Sequence, residues 1–149
     1  MKFSSLFFAV EVPTGSMENT IQVNQQLLIL KDECVKKYNR GDIVVFEHDG
    51  ELCIKRLIAF PGETVRVTKG TVFIDGKLLF EEYLSSNTEE YDGMFCVEEG
   101  SYFLLGDNRA NSKDARLWNN PNVEASDIKG KAIYYIAPKI EKVKEAIYE

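Results

Sequence analysis

Two Asp-Gly pairs, each set between apolar runs, constrain the fold of this chain more than any other feature. Asp49-Gly50 separates DIVVFEH (42–48) from ELCIKRLIAF (51–60), and Asp75-Gly76 interrupts TVFIDGKLLF (71–80). Asp-Gly is favoured in two-residue hairpin turns, because both positions there adopt positive φ angles. The two pairs therefore predict two antiparallel β-hairpins.

Other segments extend this β pattern along the chain. ETVRVTKG (63–70) alternates with period two, and SYFLLG (101–106) and GKAIYYIAP (130–138) are short apolar runs that end in Gly or Pro. Such runs are typical of strands. EEYLSSNTEEYDG (81–93) is polar and acidic, so we interpret it as a loop.

The two ends of the chain carry weaker signals. LFFAV, near the N-terminus, is shorter than the ~20 apolar residues that a membrane-spanning helix needs, and no small-residue cleavage site follows it. We interpret it as an edge strand or as the remnant of a removed anchor. In the tail, KIEKVKEAIYE, apolar residues at 140, 143 and 147 predict one short amphipathic helix.

These elements predict a mainly β protein with antiparallel strands in one compact body. A chain of 149 residues is long enough for one domain with a substantial core. We expect a single domain over 1–149, with its core at about 10–68 and 99–138, a smaller hairpin lobe at about 69–98 and a tail at 139–149.

Composition excludes several classes of protein. Hydrophobic content of 44% is ordinary for a soluble globular protein. The formal net charge is -6 and no basic stripe is present, which argues against nucleic acid as the main partner. The chain has three cysteines and no CxxC pair, which excludes a disulfide framework and a standard zinc site. Whether two of the cysteines pair stays open.

VPTGSMENT (12–20) places a small hydroxyl, Ser16, between Gly15 and the bulky Met17. Ser and Gly commonly form turns, but a serine held out at a bend can also serve as a nucleophile. The only histidine, His48, lies beside a predicted hairpin turn and fits a solvated surface residue, so a Ser-His-Asp triad is not favoured. A nucleophilic Ser16 therefore needs another base.

A lysine can be that base when its amine is neutral. Burial among apolar groups lowers a lysine pKa by several units from about 10.4. Lys55, within ELCIKRLIAF, is the candidate, because both faces of this strand are largely apolar. Composition alone favours a different interpretation, in which Lys55 and Arg56 mark an edge strand or a solvated face.

GDNRANSKDARLW (106–118) follows the apolar run YFLL and gathers Gly, Asp, Asn, Arg and Ser in one segment. Asp and Asn suit a polar loop with Asx turns. The same residues also suit a rigid platform, because Arg–carboxylate pairs can fix a loop in one geometry. A rigid loop of this kind can orient a catalytic amine.

Together, these segments resemble the type I signal peptidases, the membrane-anchored Ser-Lys endopeptidases of bacteria. VPTGSMENT is similar to the family's nucleophile segment, IKRLIAFPGETV to its lysine segment, and YFLLGDNRANSKDARLW to its GDNR-x-NS-x-D segment. GDIVVF and IKGKAIYYIAP are similar to two of its strands. The order and approximate spacing agree over roughly residues 10–138, which makes the resemblance highly specific.

The resemblance implies roles for individual residues. Ser16 corresponds to the nucleophile and Lys55 to the general base. The Thr14 hydroxyl and the Ser16 backbone N–H correspond to the oxyanion hole, and Ser112 corresponds to the serine that orients the lysine amine. The polar residues that correspond to the framework of the site are Arg56, Asp107, Arg109, Asp114 and Arg116. The residues that correspond to shallow apolar pockets for the P1 and P3 side chains are Val10, Val12 and Ile54.

The resemblance also implies an activity and a location. The expected function is removal of N-terminal signal peptides from secretory preproteins after Ala-x-Ala-like sites, with no cofactor and no metal. The expected partners are those signal peptides and the membrane surface, not nucleic acid. The expected location is the extracytoplasmic face of the cell membrane, with the family's anchor upstream of the segments present here.

Two other functions remain open. A LexA-type self-cleaving domain also uses Ser and Lys on a β-fold, but it predicts a DNA-binding helical domain, for which this chain leaves no room. A non-catalytic homologue that binds peptides is expected to lack Ser16 or Lys55, and both are present. One departure from the family pattern is Asn19, which stands where the family has Pro, so this turn is expected to be less stiff.

Overall fold

The chain folds into strands joined by short turns and loops. The structure, a computed structural model, describes residues 6–84 and 90–148. In this part of the chain the strands are β1 Phe7–Glu11, β2 Gln26–Lys31, β3 Ile43–His48, β4 Glu51–Ala59, β5 Thr64–Thr68, β6 Thr71–Ile74, β7 Lys77–Leu79, β8 Asp92–Cys96, β9 Ser101–Leu105, β10 Val123–Glu124, β11 Ile128–Ala137 and β12 Glu141–Lys142. The short 3₁₀ turns are Asp32–Cys34, Arg109–Asn111 and Ala125–Asp127.

The strands form two sheets. The larger sheet has eight strands, in the order β1-β2-β11-β3-β4-β9-β10 with β12 paired to β11, and the smaller has four, in the order β7-β6-β5-β8. All strand pairs of the described residues are antiparallel. The predicted fold class, mainly antiparallel β, is confirmed.

Both predicted hairpins are present, and their turns have the expected backbone geometry. Asp49 and Gly50, between β3 and β4, have φ angles of 50° and 79°. Asp75 and Gly76, between β6 and β7, have φ angles of 50° and 81°. Glycine adopts positive φ without a Cβ clash, and Asp tolerates it better than most residues. The second strand of the β3–β4 hairpin carries Lys55, the predicted base.

The smaller sheet begins earlier than the expected lobe. It includes β5, so it starts at Thr64 rather than at about residue 69. Val65 and Val67 are the reason, because they are buried in one core cluster with Phe103 and Leu105 of β9. The apolar face of β5 therefore covers the larger sheet while its edges pair with β6 and β8.

Besides the two-residue strands β10 and β12, two strands lie where the sequence indicated none. β8 begins at Asp92, inside the segment 81–93 that we interpreted as a loop, and it pairs with β5. Residues 85–89 of that segment lie outside the described residues. β2 contains the apolar run LLIL, and β1 pairs with it as the edge strand of the larger sheet. Among the described residues, no helix is long and apolar enough to cross a bilayer.

The predicted helix in the tail is wrong. The tail pairs briefly with β11 through β12, and the described residues after Lys142 are not helical. Val143 donates its N–H to the Ile133 carbonyl at 3.0 Å and packs on a core cluster. The tail then crosses Gly41, where an added Cβ would lie 2.7 Å from the Ala146 Cβ. A short isolated helix is marginal in water, so packing of the extended chain prevails.

The core under the site fixes the segment that follows β1. Met17 and Ile21 in this segment are 1% and 0% exposed. Burial of one large aliphatic side chain stabilises a fold by about 1.5–3 kcal/mol, so the two residues hold the segment firmly. The buried members of this cluster are Val12, Met17, Ile21, Leu27, Ile29, Ile43, Val45, Ile54 and Ala132.

Candidate active site

Ser16 and Lys55 meet at a cleft although they are distant in the sequence. Lys55 Nζ donates a hydrogen bond of 2.7 Å to Ser16 Oγ. Ser16 lies in the turn after β1, and Lys55 lies in β4, where it is 6% exposed. The fold therefore brings the two predicted catalytic side chains into direct contact and does not leave Lys55 on a solvated face.

The turn that carries Ser16 is held by backbone bonds and by one asparagine. The Glu18 N–H donates to the Gly15 carbonyl at 3.1 Å, which closes the turn around Ser16. Asn108 donates its side-chain amide to the Gly15 carbonyl and its backbone N–H to the Ser16 carbonyl, both at 2.9 Å. Asn108 was not among the residues predicted from the sequence, and its place within GDNR is the only signal for it.

Burial lowers the pKa of Lys55 below the ordinary lysine value. Desolvation is the main cause, because burial disfavours the charged ammonium over the neutral amine. The positive charge of Arg116 lowers the pKa further, whereas Asp114 and Cys53 oppose the shift. The net effect favours the neutral amine, which is the form that can accept a proton from Ser16.

Asp114 and Arg116 form a buried ion pair in the loop after β9. Arg116 donates hydrogen bonds from Nε and Nη2 to the two carboxylate oxygens of Asp114, at 2.8 and 2.9 Å. Asp114 also accepts the Gly106 N–H at 3.1 Å, and Arg116 also donates to the Arg109 carbonyl at 2.9 Å. This loop is therefore fixed by charge-assisted hydrogen bonds at several points along its length.

Arg56 and Asp107 form a second buried ion pair. Arg56 donates from Nε and Nη2 to the two carboxylate oxygens of Asp107, with the Nε bond at 2.8 Å. The Thr20 hydroxyl donates to the same carboxylate, and Arg56 Nη1 donates to the Gly41 carbonyl at 2.8 Å. The pair ties β4, beside Lys55, to the loop after β9.

The chain after β7 joins this framework from the smaller sheet. Arg109 pairs with both carboxylate oxygens of Glu81, and the two side chains are 1% and 4% exposed. The Tyr83 ring lies against Arg56, with its centroid 3.8 Å from the guanidinium carbon. Tyr148 of the tail donates a hydrogen bond to the Tyr83 hydroxyl at 3.2 Å. Glu81 and Tyr83 were not predicted, because both lie in the acidic segment interpreted as a loop.

Ser112 is buried near the site but does not make the expected hydrogen bond. It is 4% exposed, and its Oγ has no hydrogen-bond partner among the described residues. A Cβ added to Gly106 would lie 2.1 Å from this Oγ, so Ser112 packs directly on the glycine backbone. The predicted bond between Lys55 and Ser112 is therefore absent from this structure, where Lys55 donates to Ser16.

The cleft beside the serine and the lysine has a volume of about 750 Å³. The chain at the end of β1 lines it with Val12 and Thr14, and β4 lines it with Cys53 and Ile54. Two of the three predicted pocket residues, Val12 and Ile54, therefore border the cleft. Val10 is not among the residues that line it, and its half-buried side chain packs on the core cluster that includes Val12 and Ile54.

Two further side chains lie near Ser16 and Lys55. Thr14 Oγ1 lies 3.4 Å from Ser16 Oγ, so the two hydroxyl groups are neighbours. His48 lines the cleft instead of standing free in solvent, and its ring stacks on Trp118 with the centroids 3.8 Å apart. Within the described residues, Lys55 rather than His48 is bonded to Ser16. None of the three cysteines forms a disulfide bond in this structure.

The fold and the cleft together define a class of protein, an antiparallel β protein in which a buried lysine contacts a serine at an open cleft. Residues 1–136 match the family described as "Signal peptidase, peptidase S26". Because this match covers most of the chain, the chain belongs to that signal peptidase family.

Individual relatives agree with this assignment. The chain is 39% identical over 118 residues to the probable signal peptidase I-2 of Synechocystis sp., which covers 72% of this chain and 53% of the relative. It is 37% identical over 138 residues to signal peptidase I of Leptolyngbya laminosa, which covers 85% of this chain and 67% of the relative. A solved signal peptidase I from Enterococcus faecalis has a TM-score of 0.58 and 36% identity, with coverage of 65% of this chain and 97% of that chain. The chain spans about half the length of the Synechocystis relative.

Proposed function

We propose that this chain is the catalytic part of a serine endopeptidase that removes N-terminal signal peptides from secretory preproteins. The observation that carries the proposal is the 2.7 Å hydrogen bond between Lys55 Nζ and Ser16 Oγ, buried beside an open cleft. Membership of the signal peptidase family supports peptidase chemistry on this class of substrate. In the proposal Ser16 is the nucleophile, Lys55 is the general base, and residues 1–149 act as a single domain.

The mechanism uses the neutral amine of Lys55. Lys55 accepts the hydroxyl proton of Ser16 while Ser16 Oγ attacks the scissile carbonyl carbon. The resulting ammonium then donates its proton to the leaving amine, and the acyl group remains on Ser16 as an ester. Lys55, neutral again, accepts a proton from water as the water attacks this ester. The bond between the acyl carbon and Ser16 Oγ then breaks, and Lys55 returns the proton to Ser16 Oγ as the carboxylic acid product leaves.

The activity of the enzyme is expected to depend on the protonation of Lys55. Protonated Lys55 cannot act as a base, so kcat/KM should fall as the pH drops below the lowered pKa of Lys55 and should level off above it. The midpoint of the rise should lie below pH 10.5, the ordinary lysine value. A pH–rate profile, taken where the fold is stable, measures this. A profile that rises only near the ordinary value would contradict the effect of burial.

The Ser16 backbone N–H and the Thr14 hydroxyl are the proposed oxyanion donors. Thr14→Val keeps the shape of the side chain and removes the hydroxyl, so kcat is expected to fall by about 10²–10³-fold. Thr14→Ser keeps the donor and should cause only a mild loss. Steady-state kinetics on one peptide measure both variants, and a normal kcat for Thr14→Val would refute this role.

The cleft suits an extended peptide. β4 pairs with β3 along 51–56, but β9 pairs with β4 only from Arg56 onward, so 51–55 keep an edge open to the cleft within the described chain. β1 is also an edge strand. A peptide strand can add to such edges through main-chain hydrogen bonds that do not depend on sequence. Selectivity then comes from the walls near Val12 and Ile54, where we propose that small P1 and P3 side chains fit.

A peptide pair tests the proposed function. One peptide carries Ala at P3 and P1, as in the small-residue site that ends a signal peptide, and the other carries Leu at both positions. Mass spectrometry of the products is expected to show one cut, after the P1 Ala of the first peptide, and no cut in the second. Equal cleavage of both peptides, or cuts at unrelated positions, would count against signal-peptide removal.

The proposal includes the place of action. Signal peptides of secretory preproteins are presented at the membrane, so we propose that the site works at the extracytoplasmic surface of the cell membrane. Fractionation of cells that produce the full-length protein, followed by protease treatment of intact spheroplasts, tests this location. Full protection of the catalytic part from added protease would contradict it.

A further inference from the structure

The cleft continues past Leu52 into a second groove. This groove has a volume of about 490 Å³ and is bordered by Phe8 of β1, Leu52 of β4 and Ile128 of β11. Leu52 also lines the cleft beside Ser16 and Lys55, so the groove and the cleft share a wall. We propose that the groove binds apolar side chains of the substrate upstream of the residues held at the scissile bond, an inference that rests on the proposed function.

The direction of the strands places the groove upstream. Phe8 precedes Val12 along the chain of β1, and Leu52 precedes Ile54 along β4. On both strands the groove residue therefore comes before the cleft residue, so a peptide that adds parallel to either strand, the orientation that we propose, passes from the groove into the cleft. Phe8 lies 12 − 8 = 4 positions before Val12, which corresponds to about 13 Å of extended chain.

This distance assigns the groove to a part of the substrate. Val12 and Ile54 are the proposed borders of the P1 and P3 side chains. Counted from P3, Leu52 lies two positions earlier along β4 and Phe8 lies four positions earlier along the chain of β1, so the groove lies next to positions from about P5 to about P7. Side chains alternate between the two faces of an extended peptide, so P5 and P7 point to the same side as P3 and reach the groove.

The surface of the groove selects apolar side chains. Leu52 is 54% exposed and Phe8 is half-buried, so apolar surface is left uncovered between them. The charged residues around the groove are Lys31, Asp32, Glu33 and Lys129. Their formal charges sum to zero, which gives no preference for an acidic or a basic peptide. In a secretory signal peptide an apolar stretch precedes the small-residue cleavage site. The side chains of this stretch would match the apolar surface of the groove.

The groove is tested with two peptides that both carry Ala at P3 and P1. One peptide carries Leu at P5–P7, and the other carries Ser at the same positions. The measurement is the ratio of kcat/KM for the Leu peptide to that for the Ser peptide, taken within each enzyme so that differences in overall activity cancel. For the wild type we expect a ratio of about 10 or more, because burial of about one leucine side chain would favour the Leu peptide by at least this factor.

Variants locate the effect. In Leu52→Ser, and separately in Phe8→Ser, the ratio is expected to fall toward one. Leu78→Ser is the matched control, because Leu78 is 60% exposed on the smaller sheet, and this variant should keep the wild-type ratio. A wild-type ratio near one, or a ratio that neither groove variant lowers, would overturn the proposal.

Binding separates this inference from the proposed function. Fluorescence anisotropy with Ser16→Ala protein and labelled versions of the two peptides reports the groove without cleavage. Tighter binding of the Leu peptide, combined with no cleavage by wild type, would support the groove and refute the peptidase. Correct cleavage without any preference for Leu would refute the groove alone. A dimer in sedimentation that Leu52→Ser dissociates would assign the groove to a second copy and would also refute it.

Discussion

Replacing Lys55 by methionine is expected to lower kcat/KM by about 10³-fold or more on a peptide with Ala at P3 and P1. Methionine has nearly the length of lysine but no base, so Ser16 would keep its hydroxyl proton. The fold should persist, because Lys55 is 6% exposed and an apolar side chain is buried there without the desolvation cost of an ammonium. Steady-state kinetics and circular dichroism measure the two effects.

Lys77→Met is the matched control for this substitution. Lys77 is also a strand lysine, but it is exposed on the smaller sheet, so Lys77→Met makes the same side-chain replacement away from the cleft and should cleave like wild type. An unfolded Lys55→Met protein would mean that Lys55 is structural. A folded Lys55→Met protein with wild-type kcat/KM would remove Lys55 from the mechanism.

Asp114→Ala is expected to lower the free energy of unfolding by about 3–5 kcal/mol. Asp114 is 0% exposed, and its removal leaves the Arg116 guanidinium buried without its carboxylate and the Gly106 N–H without its acceptor. Urea denaturation followed by circular dichroism measures the loss. Activity should fall as well, because the loop after β9 then no longer holds the turn of Ser16 in place.

Asp92→Ala is the control for this loss of stability. Asp92 Oδ1 lies 3.5 Å from Arg66 Nη2, but the two side chains are 59% and 49% exposed. Asp92→Ala should therefore change the free energy of unfolding by only about 0–1 kcal/mol. The double variant Asp114→Ala/Arg116→Met should be less destabilised than Asp114→Ala alone, because it also removes the buried guanidinium that loses the Asp114 carboxylate. If Asp114→Ala and Asp92→Ala lowered the free energy of unfolding equally, the buried pair of Asp114 and Arg116 would not stabilise the fold more than an exposed pair does.

Much of the fold could be predicted because its signals are local. The Asp-Gly turns and the period-two runs depend on neighbouring residues, and the hairpins that they predict are present. The tail could not be predicted in this way, because its conformation is decided by Val143 against one core cluster and Tyr148 against another. The apolar spacing that suggests a helix has no partner surface here, and Ile140 and Ile147 are exposed.

The candidate site was predicted only in part. The resemblance of three segments brought Ser16 and Lys55 together, whereas composition alone favoured a solvated lysine. Glu81 and Tyr83 could not be predicted, because their partners become neighbours only when the two sheets pack. Asn108 could not be predicted either, because its partners Gly15 and Ser16 are distant from it in the sequence. The expected bond from Ser112 to Lys55 is not formed in this structure, where the Lys55 amine donates to Ser16. Val10 lies on β1 outside the lining of the cleft, two positions before Val12.

The most direct test of the central claim is the cleavage of one peptide with Ala at P3 and P1 by wild type and by Ser16→Ala. The two proteins differ by a single oxygen atom, and Ser16 is 8% exposed, so the fold and the cleft should be unchanged. If Ser16 is the nucleophile that Lys55 activates, wild type cuts after the P1 Ala and Ser16→Ala leaves the peptide intact. A Ser16→Ala protein that makes the same cut at the same rate would contradict the account.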